Sequence, residues 1–269
     1  MLILHPRFNL TGTRGTRLSS DNPNAQNVGK KPEVNLRAVF GPRPYYEWYL
    51  MDYNQLEARI MAVVSQDERM LAIFSEGRDM HLETACAIYG PTDGPQHRAH
   101  GKTTNFAKQY GGGWAAIKRA DPSLPDSECR RFDAAYNVTY PGVIAYGQRM
   151  SQEVRRKKYV ETLFGYRLYV TEPKDAANYV VQGTAGQLAK RAMIKWYTYL
   201  KTNRLDAFLL LNVHDELVLE ASQYLTNKAT HISALKRAME SSDGFIKTST
   251  PVEVFLATES WDKKEAYIP

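Results

Sequence analysis

Phe208-Leu-Leu-Leu-Asn-Val-His-Asp-Glu-Leu-Val-Leu-Glu220 reads as two apolar strands folded back on each other, with a tight turn at His214-Asp215. The turn puts a carboxylate, Asp215, at the tip of a hairpin. A stretch far upstream has the same character. Tyr45-Tyr-Glu-Trp-Tyr-Leu-Met-Asp52 is aromatic and apolar and reads as a strand ending at a carboxylate. From Gln55 the pattern turns helical, with Leu56, Ile60 and Val63-Val64 on one face. If the strands are neighbours in one sheet, Asp52 and Asp215 converge. Converging carboxylates are costly unless a cation neutralises them. Magnesium prefers such oxygen ligands and keeps positions open for phosphate. Two such ions about 4 Å apart stabilise both the attacking and the leaving oxygen of a phosphoryl transfer. The alternative is that each aspartate is an ordinary turn or cap residue.

Strands at both ends bracket a helical middle. Helices are expected around 67–75 and 79–89, from about 96 to 110 where Gly111-Gly-Gly113 stops the run, over 126–138 and 143–158, and over 175–202. Pro91 to Pro95 is a breaker-rich turn, and Val160 to Val170 reads as a small hairpin turning near Gly165. A helix near 222–240 and a last strand, Val252-Glu-Val-Phe-Leu-Ala257, close the chain. Residues 7–33, rich in Arg, Asn, Gly, Ser and Thr, read as a polar, basic loop suited to phosphate contact, with a disordered tail as the alternative.

Arg98, Lys102, Phe106 and Tyr110 recur at steps of four on the helix expected over 96–110. Each step drifts only about 40°, so the four line one slowly winding face. Two cations near a helix start can grip a triphosphate, and the rings beyond them can lie beneath a base or sugar. The competing reading is a solvated amphipathic helix with a basic face. Asn105, one residue before Phe106, adds little by itself.

Composition bounds the rest. The chain has 269 residues, 43% of them hydrophobic, enough for a sizeable core. A net charge of +6 favours polyanions such as nucleic acid. Cys86 and Cys129 form no CxxC pair, so neither a disulfide framework nor a structural zinc site is expected. The N-terminal apolar run is too short for an export signal, and no stretch is long enough to cross a bilayer. A soluble, cytoplasmic protein without membrane contact is expected.

Six blocks in one order resemble a known family. Leu50-Met-Asp-Tyr-Asn-Gln-Leu-Glu-Ala-Arg59 is similar to motif A of the DNA polymerase I family, family A. Arg98-Ala-His-Gly-Lys-Thr-Thr-Asn-Phe-Ala-Lys-Gln-Tyr-Gly111 resembles motif B, and Asn212-Val-His-Asp-Glu-Leu-Val-Leu-Glu220 resembles motif C. Thr16-Arg-Leu-Ser-Ser-Asp-Asn-Pro-Asn-Ala-Gln-Asn27 resembles the primer-contacting segment. Glu161-Thr-Leu-Phe-Gly-Tyr-Arg167 and Val181-Gln-Gly-Thr-Ala185 complete the set. Any one block alone is modest support; six in the family's order make chance improbable.

The resemblance implies an α+β fold, a polymerase palm of antiparallel sheet backed by helices with an inserted, mostly helical fingers subdomain. The palm would comprise residues 1–66 and 180–269, and the fingers 67–179. It implies template-directed addition of deoxynucleotides to a primer 3′-hydroxyl by two-metal-ion phosphoryl transfer. Asp52 and Asp215 would hold two magnesium ions, for which manganese can stand in, with the Tyr53 carbonyl as a further ligand and Glu216 assisting. Gln55, Glu57, His81, Arg98, Lys102, Phe106 and Tyr110 would form the nucleotide site. There Glu57 blocks a ribose 2′-hydroxyl and Tyr110 occupies the template-base position until a nucleotide pairs. Arg17, Asn24, Gln26, Asn27, Arg167, Asn178, Gln182 and His214 would line the primer–template DNA. The alternatives are a helix cap at His81 and solvent-facing polar residues at Asn178 and Gln182.

Departures from the family pattern are Asn54 for the usual serine, Ala107 for glycine and Ala58 for a larger apolar residue. Phe106, where some members carry tyrosine, implies discrimination against dideoxynucleotides. The family's thumb and exonuclease would precede the first matching block, so a separate polypeptide supplying them is one expectation. A truncated gene model and a minimal enzyme of low processivity are others. Two rival functions stand beside the polymerase: a catalytically silent DNA-binding module, and a single-subunit RNA polymerase.

Overall fold

The computed structural model describes residues 3–13, 15–29, 34–109 and 111–269. In chain order the elements are β1 (Arg7–Asn9), β2 (Ser19–Asp21), β3 (Tyr46–Tyr53), α1 (Leu56–Ser65), α2 (Glu68–Ser75), α3 (Met80–Tyr89), α4 (Arg98–Gln109) and α5 (Trp114–Ala120). There follow α6 (Asp126–Thr139), α7 (Pro141–Lys157), β4 (Tyr159–Glu161), β5 (Arg167–Tyr169) and α8 (Ala176–Thr202). The last are β6 (Ala207–Val213), β7 (Glu216–Ser222), α9 (Lys228–Glu240), β8 (Val252–Ala257) and β9 (Lys264–Ala266). They divide into a sheet unit (Met1–Leu56, Ala185–Gly244, Thr250–Pro269) and a helical unit (Glu57–Thr184, Phe245–Ser249).

The sheet unit is built on five strands in the order β6-β7-β3-β8-β9, with every neighbouring pair antiparallel. Its central strand, β3, is buried along nearly its whole length, which is why it reads as a continuous apolar run. Successive side chains alternate between faces. Trp48 and Leu50 pack with Val213, Val218, Ala257 and Trp261 into one core. Two further bonds tie in the helices: the Tyr53 hydroxyl donates to the Met239 carbonyl of α9 at 2.7 Å, and Trp196 Nε1 of α8 donates to the Leu235 carbonyl at 2.9 Å. Each fully buried Leu or Met contributes about 2 kcal/mol.

The helical unit is organised by caps. Asp67 Oδ1 accepts from the Met70 amide at the start of α2, while its Oδ2 accepts from the Gly142 amide of α7 at 2.8 Å. Asp79 caps α3 through the His81 and Leu82 amides. Pro141 opens α7, the position where its missing N–H costs nothing. The core gathers Ile88, Ala107, Ile117, Leu124, Cys129 and Phe132. Gly101 seats α4 against α3: a Cβ there would lie 2.0 Å from the His81 carbonyl oxygen.

Several expectations are corrected. The helix expected from 222 begins at Lys228, because Ala221 and Ser222 continue the ladder with Glu47 and Tyr46. Val252–Ala257 is not the last strand, since β9 pairs with it. The segment 7–33 is not wholly loop: β1 and β2 pair, and Arg7 meets Asp21 at 2.8 Å. Helix α5 was absent from the sequence reading. The two compact units divide at 56/57 and 184/185, inside α1 and α8. Residues 245–249 return to the helical unit, where Phe245 packs on Phe164 and the Ser249 carbonyl accepts from Arg59 at 3.2 Å.

Candidate functional site

In the sheet unit, register decides where the acidic residues meet. β3 pairs with β7 from Tyr46↔Ser222 to Asp52↔Glu216, so the carboxylate near the end of β3 stands opposite the first residue of β7. β6 and β7 close at Val213↔Glu216, leaving His214 and Asp215 as a two-residue turn. The Tyr53 amide lies 3.5 Å from the Asp215 carbonyl oxygen, tying β3 to that turn. On the other side β8 sets Glu253 opposite Asp52.

Burial, then the charges of Asp215, Glu216 and Glu253, push the Asp52 carboxyl up to about 7 against the pull of Lys264. Burial also pushes the Asp215 carboxyl up, opposed by Arg17. Lys264 of β9 donates to Glu216 Oε2 at 2.9 Å, while Glu216 Oε1 is buried without a hydrogen-bond partner. Two aspartates whose carboxyls are pushed up, beside an orphaned carboxylate oxygen, fit a divalent cation. Among the described residues, no three His, Cys, Asp or Glu side chains are grouped so that together they could hold a metal ion.

The residues expected at the DNA lie partly around this turn. Gln26 Nε2 donates to the Asn212 carbonyl oxygen at 3.2 Å, two residues before His214. Asn24 accepts from the Gln26 amide at 3.0 Å; Asn24, Asn27 and His214 are exposed. Gly186 of α8 passes close to Arg17, where a Cβ would lie 2.9 Å from its amide nitrogen. His214 and Gln55 both adopt left-handed backbone, with φ of +59° and +53°. The Gln55 Oε1 is buried and unpartnered. Asn54, the departure from serine, donates to Glu253 Oε1 at 2.7 Å.

In the helical unit Arg98 and His81 are held by other side chains. Asp79 Oδ2 accepts from Arg98 Nη2 at 2.6 Å and Nε at 3.0 Å, so the cap of α3 also fixes the first residue of α4. Burial pushes the Asp79 carboxyl up, but the Arg98 bond and the cap amides bring it below its ordinary value. His81 is buried, with Nδ1 2.9 Å from Asn105 Nδ2 and its ring 5.8 Å from that of Phe106. Burial drives the imidazole down to about 4; Asp79 opposes this, and Arg98 and Lys102 add to it. Lys102 and Phe106 are exposed, with the ammonium 5.8 Å from the ring centroid. Tyr110, the fourth member of that face, lies outside the described residues.

Glu57, buried on α1, accepts from Gln109 Nε2 of α4 at 2.6 Å. Arg167 pairs with Glu161 at 3.0 Å in the exposed hairpin. On α8, Asn178 is buried with Oδ1 unpartnered, and Gln182, one turn on, is half-buried. Ala107 packs into the helical core.

The structure thus gathers Asp52, Tyr53, Asp215, Glu216 and Arg17 in the sheet unit, and His81, Arg98, Lys102 and Phe106 in the helical unit. Sequence reasoning missed Lys264, Glu253, Asp79, Gln109 and the weight of Asn105. Asp79 carried a signal, an aspartate directly before a helix. Lys264 carried none.

Comparison with known proteins is consistent across sequence and structure. A family model described as DNA polymerase family A matches residues 3–263. The thermostable DNA polymerase I of Thermus thermophilus is 37% identical over 276 residues, covering 96% of this chain and 32% of that protein. DNA polymerase I of Deinococcus radiodurans is 33% identical over 279 residues, covering 97% and 28%. The POL domain of Pol1 from M. smegmatis, solved in complex with DNA primer-template and dNTP, matches with a TM-score of 0.86 at 27% identity. That match covers 97% of this chain and 48% of the other. The chain spans about a third of the length of these curated relatives. Among the described residues, no helix is long and apolar enough to cross a membrane.

Proposed function

This chain belongs to DNA polymerase family A, and we propose that it carries out template-directed DNA synthesis, adding deoxynucleotides to a primer 3′-hydroxyl. The observation that carries the reading is the Asp52↔Glu216 register beside Asp215, which gathers three acidic side chains, with the Asp52 and Asp215 carboxyls both pushed up. The complex of the M. smegmatis domain with primer-template and dNTP supports the choice of ligands.

In the sheet unit, Asp52, Asp215 and the Tyr53 carbonyl hold two magnesium ions, or manganese in their place, with Glu216 as the assisting carboxylate. Bound there, the metal supplies an activated 3′-hydroxyl and charge stabilisation for the leaving pyrophosphate. In the helical unit, Arg98, Lys102 and His81 hold the triphosphate, and the two cations offset the charge that builds on it. Phe106 packs against the incoming sugar and base. Glu57, kept in place by Gln109, denies space to a ribose 2′-hydroxyl. Gln55 and Tyr110 complete the nucleotide contacts. Arg17, Asn24, Gln26, Asn27, Arg167, Asn178, Gln182 and His214 line the duplex. Little covalent protein chemistry is needed, so orientation and charge placement dominate.

The test is primer extension with magnesium titrated from zero, on wild type and Asp52→Ala. Metal-dependent extension with deoxynucleotides, lost in the variant, is expected. Duplex binding without extension would favour the silent module, and preference for ribonucleotides the RNA polymerase. Running the assay with and without a candidate companion carrying thumb and exonuclease tests the separate polypeptide. Unaided processive extension removes it.

A further inference from the structure

We infer that Asn105 is a positioning residue that holds His81 neutral, with the imidazole proton on Nε2, as an N–H donor to the nucleotide phosphates. The inference rests on the proposed triphosphate contact of His81 for its purpose, but on geometry for its content.

Gly101 lets α4 touch α3 at the His81 carbonyl, and Asn105, one turn further along α4, reaches the same stretch of α3. The Asn105 amide is buried among polar groups on three sides. Its Nδ2 lies 3.3 Å from the Met80 carbonyl oxygen and 2.9 Å from His81 Nδ1, and its Oδ1 lies 2.9 Å from Thr84 Oγ1. A carbonyl oxygen can only accept, so the amide nitrogen and not the amide oxygen must face Met80. The second amide hydrogen then points at His81 Nδ1, which must be the bare, accepting nitrogen. A neutral imidazole with an accepting Nδ1 carries its hydrogen on Nε2.

The amide is itself braced. Thr84 Oγ1 lies 2.9 Å from both the Met80 carbonyl oxygen and Asn105 Oδ1, so its one hydrogen serves those acceptors. Its lone pairs face the Tyr140 hydroxyl at 3.0 Å, which makes Tyr140 the donor. Hydrogen bonds thus run in one sense from Tyr140 through Thr84 and Asn105 to His81, each polarising the next.

The charged groups facing His81 are Asp79 at the start of α3 and Arg98 and Lys102 on α4. A depressed imidazole pKa agrees with the neutral form. Protonating Nδ1 requires the Asn105 amide to turn over, which sets its oxygen against that of Met80. Negative charge arriving with a triphosphate therefore does not readily convert His81 into a third cation.

Nitrogen-15 NMR of the histidines in the full chain, without nucleotide, reads this directly. His81 is expected as the neutral Nε2–H tautomer from pH 8 down to about 5. In Asn105→Asp the carboxylate can only accept, so His81 should gain a proton on Nδ1 near neutral pH. The nucleotide KM should then vary with pH between 6 and 8 by about fivefold, the worth of one hydrogen bond. If that variant does not fold, Thr84→Val and Tyr140→Phe keep the packing and should yield mixed tautomers. An Nδ1–H signal in the wild type overturns the inference, as does an Asn105→Asp protein whose tautomer and KM profile are unchanged. An Nε2–H wild type in which His81→Leu, which has no donor, leaves KM untouched supports the tautomer and removes the phosphate contact.

Discussion

In the sheet unit the acidic residues are placed by backbone register, whereas in the helical unit Arg98 and His81 are aimed by side-chain hydrogen bonds. Asp52 faces Glu216 because seven rungs of ladder between β3 and β7 leave it nowhere else to go. Arg98 faces Asp79, and His81 faces Asn105, because in each pair one side chain bonds the other. The first arrangement survives loss of a side chain and changes only in charge. The second changes its aim when a partner is removed.

The largest effect expected from this contrast is chemical. Asp52→Ala or Asp215→Ala should cut primer extension by about a thousandfold or more, the scale of losing a central charge-stabilising group. Duplex binding by gel shift should hold and the melting temperature should not fall, since the ladder is intact. A melting temperature lowered in step with activity would break the comparison.

Glu57 is the mixed case, buried and set by one side chain. Glu57→Ala should relax exclusion of ribonucleotides by about 10- to 100-fold in single-nucleotide incorporation. Gln109→Ala, which only frees Glu57, should give part of that effect.

Stability against pH comes next. The Asp52 carboxyl lies at about 7 in the fold against an ordinary value of 3.8. Between those limits the folded chain holds more protons than the unfolded one, so metal-free stability falls as pH rises and the full penalty stands above pH 7. Asp52→Asn should therefore raise metal-free stability at pH 8, by on the order of 1–3 kcal/mol, and change little near pH 4. Magnesium should stabilise wild type and close the gap in calorimetry. The smallest effect belongs to Lys264→Met, which leaves Glu216 unpaired. It should lower the metal-free melting temperature by a few degrees and the magnesium needed for half-maximal stabilisation by about twofold.

Much of this was legible in the sequence. Strand β3 and the β6–β7 hairpin are long, apolar and end in aspartates, so period and punctuation sufficed. Helices α3, α4 and α8 carried clear spacing and stops. The three-residue strands β4 and β5 were legible as a hairpin through the turn at Gly165, whereas β1, β2 and β9 were not, since a period of two cannot be read from three residues. The start of α9 was misplaced because Ala221 and Ser222 suit a helix and only pairing makes them strand. Asn105 and Lys264 escaped for a different reason. Their partners, His81 and Glu216, lie 24 and 48 residues away, and no local pattern announces such a bond.

The left-handed φ of His214 and Gln55 has a consequence for how this protein tolerates change. Each of these residues stands within three positions of an aspartate, and each holds a conformation that a side chain makes unfavourable by roughly 1 kcal/mol. Glycine would relieve that tension at either place and harden the chain against heat. It would also let the hairpin tip or the start of α1 wander. Selection for thermal endurance and selection for turnover should therefore pull these two positions in opposite directions.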